Sequence, residues 1–251
     1  PVSSSTASPA RRVPHASVAL LAAAAFGCAA VGWAIEPAPL PPSAGAAAPT
    51  AEEIKANRWE TAIFAGGCFW CMEKPFDSLD GVISTTSGYT AGDVEDPTYY
   101  QVSAGRTGHT EALKIVYDPK KLKYDTLLRM FWLNIDPFQK NGQFVDRGTQ
   151  YRTAICYNSP EQKQAAEASS KAVQKRFDRH VFTEILPASA FYEAEDYHQD
   201  FYIKSPGRYN SYAANCGRIP RLNEIWGAEA GGALLLKEHG KKAAAEKQTA
   251  E

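Results

Sequence analysis

The stretch "ETAIFAGGCFWCMEKPF", Glu60 to Phe76, constrains this chain more than any other. An apolar run of strand length is closed by Gly66 and Gly67, and Cys68 follows at once. Beyond it, Phe69, Met72 and Phe76 recur at helical spacing. The pattern predicts a buried strand, a tight turn and a helix that starts at Cys68, with Pro75 bending or delaying the helix. A cysteine in that position meets free backbone N–H groups and the positive end of the helix dipole. Both favour the thiolate, which is the nucleophilic form. The glycines permit the turn and leave the sulfur approachable.

Further elements follow along the chain. "GVISTTSGYT", "TEALKIVYDP", "YRTAICYN" and "VFTEILPA" read as strands, the second stopped at Asp118-Pro119. "DPTYYQVSAG" carries a helix-start signal. "KYDTLLRMFWLNID" is strongly amphipathic, with Leu127, Leu128, Phe131 and Ile135 on one side. "SPEQKQAAEASSKAVQKRF" has Ser159 as N-cap and Pro160 at the first helical position. "FYEAEDYHQDFYIKS" reads as one helix packed with aromatics, followed by an irregular segment to Trp226. Strands and helices do not strictly alternate, so the fold class is α+β. The order strand, helix, strand, strand, helix, strand predicts a ferredoxin-like sandwich with additions, its cysteine at the start of the first helix.

The flanks have a different composition. Residues 1–35 place Arg11 and Arg12 before an uncharged Ala- and Gly-rich run from Ala16 to Ile35, with no acidic residue before Glu36. This is the layout of an export signal or an organelle-targeting peptide, with a retained membrane anchor as the alternative. It predicts a bacterial periplasmic, plastid or other organellar location, and no stable membrane association once the signal is removed. Cys28 lies inside this run. Residues 36–57 read as a Pro- and Ala-rich linker, 58–227 as the folded domain, and 228–251 as a mobile charged tail. With 251 residues, 44% of them hydrophobic, the chain can bury a sizeable core, and its net charge of −1 leaves no electrostatic footprint for nucleic acid. A monomer is the plain expectation.

Cys68 and Cys71 admit three readings. A structural zinc site needs four ligands, usually two close pairs. Here Cys156 and Cys216 stand apart, and His109, His180 and His198 do not pair at ligand spacing, so no metal is expected. A disulfide between residues three apart closes a tiny loop and restricts the unfolded chain little. A reactive thiol fits best, with Cys68 attacking and Cys71 one turn along as a resolving partner. Phe69 and Trp70 between them read as the wall of an apolar pocket rather than as part of a thioredoxin-like site.

A thiolate that attacks an oxidised centre needs a proton donor for the departing oxygen. Glu111, at the start of an apolar strand, would be kept protonated by partial burial. An ordinary strand-end carboxylate reads equally well from that segment alone. Tyr99, Tyr100 and Tyr151 are phenols that donate or merely pack, and Asp146 lies close to Tyr151 in sequence. His198 reads as a packing or hydrogen-bonding residue, and Cys156 as a buried core thiol.

Four segments together, "FAGGCFWCMEKPFDSLDGV", "SGYTAGDVEDPTYYQVSAGRTGHTEALKIVYDP", "DRGTQYRTAI" and "EDYHQDFY", resemble the A-type peptide methionine sulfoxide reductases over about residues 60–227. The resemblance implies a two-layer α+β sandwich. It implies Cys68 as the nucleophile on the sulfoxide sulfur and Glu111 as the acid for its oxygen, helped by Tyr99 and Tyr151. Asp146 would orient water or polar groups, and Phe69 and Trp70 would hold the substrate methyl group. It further implies action on the S epimer of free or protein-bound methionine sulfoxide, a sulfenic acid on Cys68 and a disulfide. An external dithiol such as thioredoxin then reduces that disulfide, with no metal or organic cofactor. Many members of the family have Gly where this chain has Cys71 and resolve with a cysteine near the C-terminus. Here Cys71 and Cys216 are both present, and Cys71 is the first choice, with a relay between the two left open.

Overall fold

A computed structural model describes residue 41 and residues 43–248. In chain order the elements are α1 (Ala51–Asn57), β1 (Glu60–Gly66), α2 (Phe69–Asp77), β2 (Val82–Thr90), α3 (Tyr99–Ser103), β3 (Thr110–Tyr117) and α4 (Tyr124–Trp132). A short hairpin, β4 (Gly142–Gln143) and β5 (Asp146–Arg147), precedes β6 (Thr153–Tyr157), α5 (Pro160–Phe177), β7 (Glu184–Pro187) and β8 (Phe191–Glu193). Four helices close the chain: α6 (Phe201–Lys204), α7 (Pro206–Asn215), α8 (Arg218–Trp226) and α9 (Ala233–Gln248).

The main sheet runs β7-β6-β1-β3-β2-β8. Its inner four strands, with α2 joining β1 to β2 and α4 between β3 and β6, form the expected ferredoxin-like sandwich. Each inner neighbour pair is antiparallel. β7, parallel to β6, and β8, antiparallel to β2, are the additions. β1 is buried on both faces, as its unbroken apolar run requires. Ala62 and Phe64 face α2 and α4 and join the main core with Met72, Phe76, Leu127 and Phe131. Ile63 and Ala65 face the other way, with Ala112, Ala154 and Cys156. Phe64 stacks on Phe76 at 5.7 Å and on Phe131 at 5.1 Å, which fixes the helix layer over the strand that leads to Cys68. Burying such a ring contributes about 1.5–3 kcal/mol.

Close packing surrounds both glycines, and the backbone of Gly67 also favours glycine. Gly67 has φ +81°, and a Cβ there would lie 2.5 Å from Cβ of Gln143. A Cβ on Gly66 would lie 2.4 Å from Cε of Met72. The turn is thus pressed between α2 and the β4–β5 hairpin, and α2 continues through Pro75 to Asp77.

Several expectations are corrected. The cysteine-bearing helix is the second in the chain, because α1 forms inside the expected linker under a Thr50–Glu53 capping box. Other residues of that linker are also tied to the domain. Ser43 Oγ donates to Asp77 Oδ1 at 2.8 Å, and the Gly45 N–H donates to Asp200 Oδ1 at 2.8 Å. The expected aromatic helix over 191–205 is instead β8, a turn and the four residues of α6. Tertiary pairing overrides its periodicity. Phe191–Glu193 pairs with β2, and past the strand end the Gln199 amide takes over, accepting the Ser87 N–H at 2.8 Å and donating to Ser87 O at 2.9 Å. The expected irregular segment to Trp226 is α7 and α8, separated by Gly217 at φ +75°. Where a mobile tail was expected, α9 begins with Leu235 packed into the main core. The targeting segment expected over 1–35 lies outside the described residues. Among those described, no helix is long and apolar enough to cross a membrane.

Glu73 on α2 is buried, with the Asp200 N–H on Oε1 at 3.1 Å and no partner on Oε2. Burial pushes its pKa from 4.5 up to about 8, so between these values the folded chain keeps a proton that the unfolded chain has released. Its contribution to stability is therefore complete below the unfolded value and is lost as pH rises through the folded one. Glu73→Gln removes this titration, so the unfolding temperature of the variant should drop less than that of the wild type between about pH 6 and about pH 9. Equal drops would show that Glu73 does not titrate there.

Candidate active site

Cys68 is the N-cap of α2, and its thiol makes no capping hydrogen bond. It is 8% exposed, close to the surface but shielded. The next N–H, that of Phe69, donates to Glu111 Oε2 at 3.1 Å. A carboxyl group thus occupies one of the free donors of the helix start, directly beside the thiol. Glu111 is the second residue of β3, opposite Tyr89 in register. Burial raises its pKa to about 8, with the Asp146 charge adding to the rise and the Phe69 N–H opposing it. Burial thus favours the protonated form of Glu111.

The two phenols arrive from separate elements. Tyr99 opens α3, where its backbone N–H donates to Glu195 Oε1 at 2.9 Å. Burial, followed by the Glu111 and Cys68 charges, pushes its hydroxyl up to about 12. Tyr151 ends a 3-10 turn, Thr149–Tyr151. Thr110 Oγ1 donates to Gln150 O at 3.2 Å and to Arg152 O at 3.1 Å, which locks that turn to the start of β3 next to Glu111. Tyr151 is raised by burial and then by Glu111, Tyr99, Asp146 and Cys68 in turn. Asp146 is set by its hairpin partner Gln143, which packs against Gly67. Its pKa is raised by burial, against the Tyr212 hydroxyl, which donates to Oδ2, and the nearby Arg218 charge.

The aromatic pair divides. Phe69 is 1% exposed and packs against Tyr89, Val102 and Ala194, so of the two residues only Trp70 keeps exposed surface. Trp70 stacks on Phe201 at 3.7 Å and 7°. Its indole N–H donates to His198 Nδ1 at 2.9 Å. Nδ1 can accept only if the ring proton sits on Nε2. Burial holds His198 neutral, with its pKa down at about 4, and so keeps that acceptor in place.

The thiols form a row. Cys68, Cys71, Cys156 and Cys216 are all free and buried. The Cys71 thiol lies near enough to both Cys216 and Cys68 to feel each of them. Contact with Cys216 lowers its pKa, but contact with Cys68 and burial outweigh this and push it up to about 12. Cys216, at the C-cap of α7, is raised by its contact with Cys71 and by burial. Cys156 lies away in the second core cluster, where burial pushes it up to about 11.

Three further residues reach this site without having been singled out from the sequence: Tyr209, Tyr212 and Arg218. Tyr212 holds Asp146 and stands edge-on to Trp70 at 6.0 Å, and Tyr209 feels the charges of Cys71, Cys68 and Cys216. Tyr209, Tyr212 and Cys216 are spaced i, i+3, i+7, so reading α7 as a helix would have put them on one face. The assembled groups are one thiol at a helix start, a buried carboxyl, two phenols and two more thiols nearby. They can attack an electrophilic sulfur, protonate its oxygen and close a disulfide. Among the described residues, no cluster of three His, Cys, Asp or Glu side chains could hold a metal ion.

A family model described as peptide methionine sulfoxide reductase matches residues 60–230. Among similar curated proteins, the peptide methionine sulfoxide reductase MsrA of Bacillus subtilis strain 168 is 48% identical over 172 residues, covering 68% of this chain and 97% of that protein. The MsrA of Leuconostoc mesenteroides is 56% identical over 151 residues, covering 59% of this chain and 88% of that protein. Among solved structures, Mxr1 from Saccharomyces cerevisiae in reduced form matches with a TM-score of 0.57 at 29% identity, over 59% of this chain and 87% of that one. Methionine sulfoxide reductase A of Corynebacterium diphtheriae matches with a TM-score of 0.55 at 36% identity, over 59% of this chain and 76% of that one.

Proposed function

The chain belongs to the peptide methionine sulfoxide reductase family, and from that premise we propose how its own residues carry the reaction on the S epimer of methionine sulfoxide, free or in proteins. The Cys68 thiolate attacks the sulfoxide sulfur while Glu111 delivers a proton to the oxygen, with Tyr99 and Tyr151 as further donors to that oxygen. Methionine leaves and the oxygen stays on Cys68 as a sulfenic acid. Trp70, held by Phe201 and His198, is the wall against the substrate methyl group. The observation that carries this reading is the buried Glu111 carboxyl held on the Phe69 N–H, one residue from the thiol, where burial favours its protonated form.

The second half of the cycle follows the row of thiols. The Cys71 thiol condenses with the Cys68 sulfenic acid, forming the Cys68–Cys71 disulfide and releasing water. Cys216 then attacks the Cys71 sulfur, so that the disulfide moves to Cys71–Cys216 and Cys68 is freed. A dithiol such as thioredoxin reduces the relayed disulfide. Cys71 therefore resolves and Cys216 relays, an order supported by the influence of both Cys68 and Cys216 on the Cys71 thiol.

With a sulfoxide-containing peptide and a thioredoxin system, the S epimer should be consumed and the R epimer left. Cys71→Ser should release one methionine per enzyme without reductant and lose thioredoxin-driven turnover. Cys216→Ser should accumulate the Cys68–Cys71 disulfide and recycle at least about tenfold more slowly, given how strongly exchange depends on the attacking and leaving thiols. Full thioredoxin-driven turnover in Cys71→Ser would reverse the order. Insulin reduction without sulfoxide turnover would point instead to a general thiol-disulfide oxidoreductase.

A further inference from the structure

Arg218 is a buried cation with no anionic partner in the reduced state. It opens α8 and is 7% exposed. Nη1 donates to Asn134 O and approaches Met72 Sδ at 3.5 Å, and Nη2 donates to Gly66 O at 3.3 Å. Nε is buried without a partner. The ring of Phe144 lies 4.6 Å from the guanidinium carbon. All these contacts are uncharged. Among the described residues, no carboxylate comes within ion-pair distance of Arg218, whereas Arg221, one turn on, holds Asp136 at 2.7 Å. Arg129, Arg152 and Arg176 likewise each hold a carboxylate. A charge taken out of water without a counter-ion is costly, so a chain that keeps one there gains when an anion forms beside it.

The groups that face this cation are few. They are Cys71 on α2, Cys216 at the end of α7, Tyr209 on α7 and Asp146 on β5, and Arg218 favours the ionised form of each. Asp146 is already held by Tyr212. The guanidinium therefore lies under the Gly66–Gly67 turn, beside the two thiols that exchange a disulfide.

We propose that Arg218 is the built-in counter-charge for the Cys216 thiolate that attacks the Cys71 sulfur, and for the thiolate released on Cys71 or Cys216 when their disulfide is reduced. The inference rests on the relay described above. In that step Cys216 gives its proton to solvent, and its sulfur attacks the Cys71 sulfur of the Cys68–Cys71 bond. The Cys71–Cys216 bond forms, the Cys68–Cys71 bond breaks with its electron pair on Cys68, and Cys68 regains a proton. No net oxidation occurs, but a thiolate must exist in a buried place. A nearby cation lowers that cost. When the dithiol reductant later splits the Cys71–Cys216 bond, the same cation stabilises whichever of the two sulfurs leaves.

The test compares two rates in the same single-turnover sample: methionine release and formation of the Cys71–Cys216 disulfide, the latter by alkylation quench and mass spectrometry. In Arg218→Gln, whose amide keeps a donor toward Gly66 O, the ratio of exchange to release should fall at least about tenfold, equivalent to one unit in thiolate pKa. Arg218→Lys should restore the ratio near neutral pH. An unchanged ratio in Arg218→Gln, or equal losses in the Gln and Lys variants, overturns the proposal. A wild type that never forms the Cys71–Cys216 disulfide overturns the relay itself. Arg218→Lys supplies a second measurement that does not depend on the folding of the Gln variant. A buried lysine titrates where arginine does not, so exchange in Arg218→Lys should fall at high pH while that of the wild type does not. Superimposable pH profiles for the two would again overturn it.

Discussion

In Cys68→Ser, sulfoxide reduction with dithiothreitol as reductant is expected to fall by about 10^6-fold, the scale on which loss of a nucleophile acts in an enzyme. A serine hydroxyl is not ionised near neutral pH, and it has no sulfenic state in which to hold the oxygen. The change should not disturb the fold. The Cys68 thiol makes no cap hydrogen bond, and serine is itself a good N-cap. Cys71 and Cys216 remain as internal controls. A thiol count lower by one, an unchanged unfolding temperature and no methionine release would together assign the chemistry to Cys68. Activity retained at the wild-type level would remove Cys68 from the mechanism and the sulfoxide reductase chemistry with it.

Glu111→Gln should slow the reductase step by about 10^2- to 10^3-fold, the range in which a positioned general acid contributes. Glutamine still accepts the Phe69 N–H, so α2 and β3 stay joined, but it has no proton to deliver. The pH dependence gives a sharper readout. The acid form of Glu111 is present below its pKa and is lost as pH rises through about 8, so the wild-type reductase rate should decline there. The Gln variant should lack that decline. Stability supplies a control of known sign. With its folded pKa raised above the ordinary 4.5, Glu111 contributes stability that fades between the two values as pH rises. The variant should therefore unfold at a temperature close to that of the wild type in acid and resist alkali better. Unchanged turnover in the variant, with the decline still present, would show that Tyr99 and Tyr151 suffice as proton donors.

The site reads best from the sequence where its geometry is local. The β1–Gly66–Gly67–Cys68–α2 unit follows from an apolar run, a glycine pair and helical spacing, and each acts within a few residues. The position of Glu111 at a strand start was legible, but it was not separable from an ordinary surface carboxylate until its burial and its place on the Phe69 N–H were known. Trp70 and Phe69 looked equivalent in sequence. Only packing shows that Phe69 is spent on the Tyr89 cluster while Trp70 is clamped at the surface. The segment over 191–205 failed for a related reason. Its aromatics repeat at helical spacing, yet Phe191–Glu193 and Gln199 have partners on β2 that a local reading does not contain.

The strand and helix order of the α+β sandwich and the family were legible in the sequence alone. These depend on periods of 2 and 3.6 residues and on turn chemistry, which are properties of neighbours along the chain. The nearness of Cys216 to the other thiols was left to the tertiary structure. Cys216 is distant in sequence from Cys68 and Cys71, so nothing local ties it to them. It meets them because Gly217 ends α7 and turns α8 back, with Leu222, Ile225 and Trp226 buried on the core. The closure entropy of so long a loop is recovered only by that burial. The same folding-back places Tyr212 on Asp146 and an unpaired Arg218 beside the thiols, an arrangement that exists only once the core has formed.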